Sequence, residues 1–229
     1  MDRDGVVTEL EPGDELVARV AALDIAKGTQ HGHQGVGVIE VQPSQRMRDL
    51  GVVQHGAGIL AEPAGVFDLP AERAAAERVI DRLSEAMDRI AQAHDFSGKG
   101  MGLAAPQIAI GRAAATVRPT ERSAEPIILL NPRITAASDE MDEQYEGCLS
   151  FFDVRGLVPR PLRITVETTA LDGTHVTTEY ERGLARLIHR EIGHLDGLLY
   201  TARTGVAPTP VEEYRQTNTP TGRAWAYEQ

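Results

Sequence analysis

Between residues 184 and 199, six apolar side chains (Leu184, Leu187, Ile188, Ile192, Leu195 and Leu199) recur at the spacing of one helical face. Gly183 stands where a cap would. A stripe of this width must be covered by other elements, so the spacing predicts a helix set into a core. The same segment carries His189, Arg190, Glu191 and His194.

The covering elements are readable too. Residues 69–94 form a second helical pattern, with Pro70 in its first turn and Val79, Leu83, Met87 and Ile90 on one face. Strands are expected over residues 113–117 and 127–130, the second closed by Asn131-Pro132. Two alternating runs, residues 163–170 and 175–181, flank Asp172-Gly173, a hairpin signal. Helix, antiparallel strands, then helix is an α+β order.

The ends are less informative. Residues 14–26 read as a short helix with Leu16, Val20 and Leu23 on one face. Residues 27–37 read as a solvated loop, including His31-Gly32-His33, which has no third ligand nearby. The tail beyond Gly205 carries Pro208, Pro210 and Pro220 and is expected on the surface.

The formal net charge of −11 argues against a nucleic-acid footprint. No run approaches the roughly 18 apolar residues of a membrane span. The opening Met1-Asp2-Arg3-Asp4 leads into no apolar signal region, and the single cysteine, Cys148, allows no intrachain disulfide. A cytosolic location is the expectation.

Three segments carry chemistry: Gly100-Met101-Gly102-Leu103-Ala104-Ala105-Pro106-Gln107, Glu146-Gly147-Cys148-Leu149-Ser150, and His189-Arg190-Glu191-Ile192-Gly193-His194-Leu195-Asp196-Gly197. Alone, the first is a glycine-rich turn without the Gly-Lys-Ser/Thr of a phosphate loop, and the second is a lone cysteine in a polar turn. The third nearly matches His-Glu-x-x-His, in which histidines four apart bind a metal and the glutamate handles protons.

Together, in this order, the segments resemble the peptide deformylases, whose motifs read Gly-x-Gly-Leu-Ala-Ala-Pro-Gln, Glu-Gly-Cys-Leu-Ser and Gln-His-Glu-x-x-His-Leu-Asp-Gly. The first two are reproduced unchanged. Asn131-Pro132, Gly156-Leu157-Val158-Pro159-Arg160 and Leu184-Ala185-Arg186 agree as well. The resemblance covers residues 53–205, leaving 1–52 as an extension and 206–229 as a tail.

It implies an α+β fold with antiparallel sheets around the metal-motif helix. It also implies a hydrolase that removes the formyl group from N-formylmethionyl peptides with a divalent iron, nickel or zinc ion. Its ligands would be Cys148, His194 and residue 190. The metal would acidify a bound water. Glu191 would move that water's proton, and the Gln107 amide with the Leu149 N–H would stabilise the oxyanion. Gly102, Arg160, Phe151 and Phe152 fall where substrate is contacted.

Position 190 departs from the pattern. The histidine is one place early, at 189. Four residues of helix leave two side chains about 40° apart, but five leave them about 140° apart. A regular helix therefore cannot bring His189 and His194 to one ion, and a π-bulge would correct the angle only in part. Arg190 has no lone pair to offer and repels a cation, so weak metal occupancy is expected. Phe151-Phe152-Asp153 replaces the family's glycine and proline, and Gly193 replaces an aspartate.

Two functional readings follow. One is a deformylase or related formyl-amide hydrolase with an irregular metal site. The other is an inactive relative that keeps the pocket for binding or regulation. A third variation is a formyl amide other than a nascent peptide.

Overall fold

The computed structural model describes residues 42–94, 100–121, 123–204 and 208–211. The expected helix at 14–26 and the His31-Gly32-His33 loop lie outside these residues. The helices are α1 (Gln45–Asp49), α2 (Arg73–Ala93) and α3 (Arg182–Leu195). The strands are β1 (Met101–Ala104), β2 (Ala114–Arg118), β3 (Ile127–Leu130), β4 (Arg133–Ala137), β5 (Met141–Cys148), β6 (Phe151–Pro161), β7 (Arg163–Thr169), β8 (His175–Glu181) and β9 (Thr209–Pro210). The fold is α+β, with three antiparallel sheets ordered β1-β2-β3, β4-β7-β8 and β5-β6-β9.

The β1-β2-β3 sheet lies between two helices because alternate residues of a strand face opposite sides. Leu103 and Ala114 join Val79, Leu83, Met87 and Ile90 of α2. Their neighbours Ala104 and Ala115 join Leu187, Ile188 and Ile192 of α3. With both faces covered, β1 shows no polar alternation. This is why Met101–Ala104, which reads as a glycine-rich turn, is a strand with every residue buried.

The hairpin at Asp172-Gly173 forms as the dipeptide predicts. Gly173 adopts φ +88°, and Asp172 accepts a hydrogen bond from the Thr174 N–H at 2.9 Å. Helix α3 ends earlier than its stripe implies, at Leu195 rather than Leu199. Gly197 turns at φ +75° directly against the Ala61 backbone, and the Leu198 N–H returns to the Gly193 carbonyl at 2.8 Å. Leu199 therefore leaves the stripe, and Tyr200, only 2 % exposed, packs with Cys148 and Val158. Among the described residues no helix is long and apolar enough to cross a membrane.

Candidate active site

Three turns of chain converge. The helical turn after β1 (Ala105–Ile108) supplies Gln107, the tight turn between β5 and β6 supplies Cys148 and Leu149, and α3 supplies Arg190, Glu191 and His194. The β5–β6 register shifts between Glu146 and Cys148, so the ladder is irregular just before the cysteine, and such irregularities re-aim a side chain.

Cys148 Sγ lies 3.2 Å from His194 Nε2. The sulfur also accepts from the Ser150 N–H at 3.3 Å and from Gln107 Nε2 at 3.6 Å. Gln107 Nε2 reaches Ser150 Oγ at 3.2 Å as well, and its Oε1 accepts from the Ala104 N–H at 2.9 Å, which fixes the orientation of the amide. Cys148, Gln107, Glu191 and His194 are all buried.

Burial sets the charge states. It pushes the Cys148 thiol up to about 11 against the pull of Arg190. It drives His194 down to about 3, with Arg190 and Arg160 adding to the fall. At neutral pH the pair is a thiol beside an uncharged imidazole. The Glu191 carboxyl is raised by burial, which Arg190 opposes only in part.

Arg190 occupies the centre of this arrangement. Its Nε and Nη2 both lie 2.8 Å from Glu191 Oε1, and its Nη1 donates to the Gly147 carbonyl at 3.2 Å. Its side chain is 12 % exposed. Glu191 Oε2 and His194 Nδ1 are buried without a hydrogen-bond partner.

The residues present do not fit the family's metal. Among the described residues no group of three His, Cys, Asp or Glu side chains could hold an ion. The helix is α-helical throughout, with no π-bulge. His189 is held well below its ordinary value by burial and then by Arg160, Arg203 and Arg186. Five residues of regular helix set it about 140° around the axis from His194. Cys148 and His194, in contact at 3.2 Å, stand at two of the three positions that the resemblance assigns to a metal, and Arg190 stands at the third.

The expected substrate positions lie in distinct surroundings. Arg160 is 1 % exposed and forms a two-point pair with Glu146, Nε–Oε1 at 2.6 Å and Nη2–Oε2 at 2.8 Å. It is committed to the interior: the β5–β6 ladder sets Arg160 opposite Asp142 and Glu146 opposite Gly156, and the long arginine side chain reaches along the strands to the carboxylate. Arg186 of α3 completes the pair, reaching Glu146 Oε1 at 2.6 Å and the Asp142 carbonyl at 2.6 Å.

The space beside Gly102 is taken by the Glu191 carboxylate, which a Cβ would strike. Phe151 stacks edge-on against His55 at 4.3 Å, and Phe152 lies 5.1 Å from the His94 ring. The two phenyl groups leave opposite faces of β6 and do not line one pocket. Gln54, Glu146 and Arg186 were not singled out from sequence. The two charged residues did stand inside motifs, Glu-Gly-Cys-Leu-Ser and Leu-Ala-Arg, and that was the available signal.

The three motifs thus meet in space: a strand-borne cysteine turn faces the helix-borne Glu191 and His194 beside a buried glutamine amide. The chain belongs to the polypeptide deformylase family, whose model matches residues 50–207. It is similar to peptide deformylase 2 of Gloeobacter violaceus, 37 % identical over 124 residues that cover 52 % of this chain and 66 % of that protein. It is also similar to the peptide deformylase of Natranaerobius thermophilus, 39 % identical over 108 residues, covering 47 % of this chain and 68 % of the relative. The matches thus span about two thirds of these relatives' length.

Among solved structures, peptide deformylase 1B of Arabidopsis thaliana with an inhibitor superposes with a TM-score of 0.58 at 26 % identity, covering 67 % of this chain and 80 % of the other. A class I type b peptide deformylase of Acinetobacter baumannii superposes with a TM-score of 0.58 at 28 % identity, covering 67 % and 97 %.

Proposed function

We propose that this chain is a cytosolic deformylase-type protein that binds N-formylmethionyl peptides, or a related formyl amide, in a cleft that has lost the metal hydrolase's ligand set. It acts as a binding or regulatory relative. One observation carries the reading: the Arg190 guanidinium holds Glu191 Oε1 at 2.8 Å and the Gly147 carbonyl at 3.2 Å, at the position where the family's first histidine stands. A fixed cation there disfavours iron, nickel or zinc and ties up the family's proton-moving carboxylate. Recognition is supported by what remains. The Gln107 amide, oriented by the Ala104 N–H, stands beside Cys148 and Ser150, where the resemblance places the contacts to a formyl oxygen.

A second reading, residual hydrolysis, rests on Glu191 Oε2, which is buried and without a partner and so keeps a basic lone pair. The two separate in one set of measurements on purified protein: elemental analysis, calorimetric titration with formyl-Met-Ala-Ser and with unformylated Met-Ala-Ser, and assay of released formate. The expected result is metal well below one ion per chain, tighter binding of the formylated peptide, and no formate. Near-stoichiometric metal with turnover would establish the hydrolase instead, and equal affinity for the two peptides would remove the recognition reading.

A further inference from the structure

Residues 53, 54 and 55 cross behind the site, and each grips a part of it. The Val53 N–H donates to the Gln107 carbonyl at 2.8 Å, and the His55 N–H donates to the Ser150 carbonyl at 2.8 Å. Between them Gln54 Nε2 donates to the Leu149 carbonyl at 3.1 Å. Gln54 is 6 % exposed and its amide is fully used. Its second Nε2 hydrogen goes to the Val52 carbonyl at 3.1 Å, and its Oε1 accepts from the Ser44 N–H at 3.1 Å.

The Leu149 carbonyl and the Ser150 N–H are the two ends of one planar trans peptide unit and point in opposite directions. Fixing the carbonyl therefore fixes the N–H. That N–H is the one that meets Cys148 Sγ at 3.3 Å. We infer that Gln54 is a positioning residue. By holding the Leu149 carbonyl it aims the Ser150 N–H at Cys148 Sγ and sets the Cys-Leu-Ser turn for the ligand. Through Ser44 it also ties this aim to the segment that carries α1. The ligand half of the inference rests on the cleft being the recognition site proposed above. The geometric half does not.

Two variants divide the amide's roles. Gln54→Met removes all three hydrogen bonds at nearly constant volume. Gln54→Glu keeps the acceptor for Ser44 but loses both donors. Gly173→Ala serves as a destabilised control, because it strains a hairpin turn remote from the site. In amide hydrogen exchange followed by NMR, Ser150 protection falls about tenfold in both Gln54 variants, the loss expected of one net hydrogen bond. Gly173→Ala leaves Ser150 protected relative to the global unfolding limit. Formyl-Met-Ala-Ser affinity drops in both Gln54 variants, and the preference over unformylated peptide narrows.

Unchanged Ser150 protection in both variants, or an equal loss in Gly173→Ala, overturns the positioning role. If wild-type protein does not prefer the formylated peptide, the recognition reading falls while the exchange data still decide the role of Gln54. If Gln54→Met does not fold, Gln54→Glu alone carries the test.

Discussion

Among the described residues two carboxylates are wholly buried, Glu146 and Glu191, and they are treated in opposite ways. Glu146 meets Arg160 through both oxygens and Arg186 through one. Burial alone would raise its carboxyl, but Arg160, Arg186 and Arg190 overcome that and hold it below the ordinary range. Glu191 meets a single guanidinium through one oxygen, and its other oxygen has no partner. Burial wins there and the carboxyl is raised. A buried charge with matched partners is architecture, and one left half-satisfied marks a candidate functional position. The first pins β5 to α3. The second borders the cleft.

The difference can be broken most severely at Glu146. Glu146→Leu strands two buried guanidiniums and should cost about 3–5 kcal/mol in urea unfolding. A loss below about 1 kcal/mol would mean that the trio is not a structural unit.

Changing the partner of Glu191 should act on function. His189→Gln with Arg190→His supplies a histidine four residues before His194 and removes the competing cation. Metal affinity should rise at least about 100-fold, about 2.7 kcal/mol, and formate release should appear. Adding Glu191→Ala should abolish release while the metal stays bound. Failure of the repaired chain to bind metal would show that position 190 is not the decisive change.

Gly102→Ala, which pushes a methyl into the Glu191 carboxylate, should cost about 1–3 kcal/mol. Unaltered stability would mean that the carboxylate moves aside freely.

The smallest effect is a pH dependence of opposite sign at the two residues. With its folded value raised, Glu191 contributes stability that is complete below the ordinary 4.5 and is lost as pH rises through the folded value. Glu146, with its value lowered, contributes stability present above 4.5 and lost as pH falls through its folded value. The unfolding free energy of wild type minus that of Glu191→Gln should therefore decline as pH climbs above 4.5. A constant difference would place the two carboxylates in the same class.

How much was legible follows from where each constraint lives. Helix α2 and the β7–β8 hairpin were readable because local spacing and one dipeptide determine them. The cysteine, glutamine, glutamate and histidine of the cleft were readable as motif, and the angle between residues 189 and 194 followed from helical pitch alone. The end of α3 was misplaced because Leu199 keeps the apolar rhythm, although Gly197 carried the stop signal. Strands β5 and β6 were not drawn, since Glu146 and Arg160 look like surface residues until pairing neutralises them. Gln54 left no signature: its partners at 44 and 149 are joined only by folding.

The 12 % exposure of the Arg190 side chain bears on how such a protein arises. Residue 190 is the one position between Ala185 and Leu195 that is not fully buried, so a long cation can be seated there with its head on two oxygens. The fold thus offers a mutational exit at one ligand position: activity can drift away while the chain still folds and persists in the cell. Position 146 offers no such exit, because a change there removes the protein along with the function.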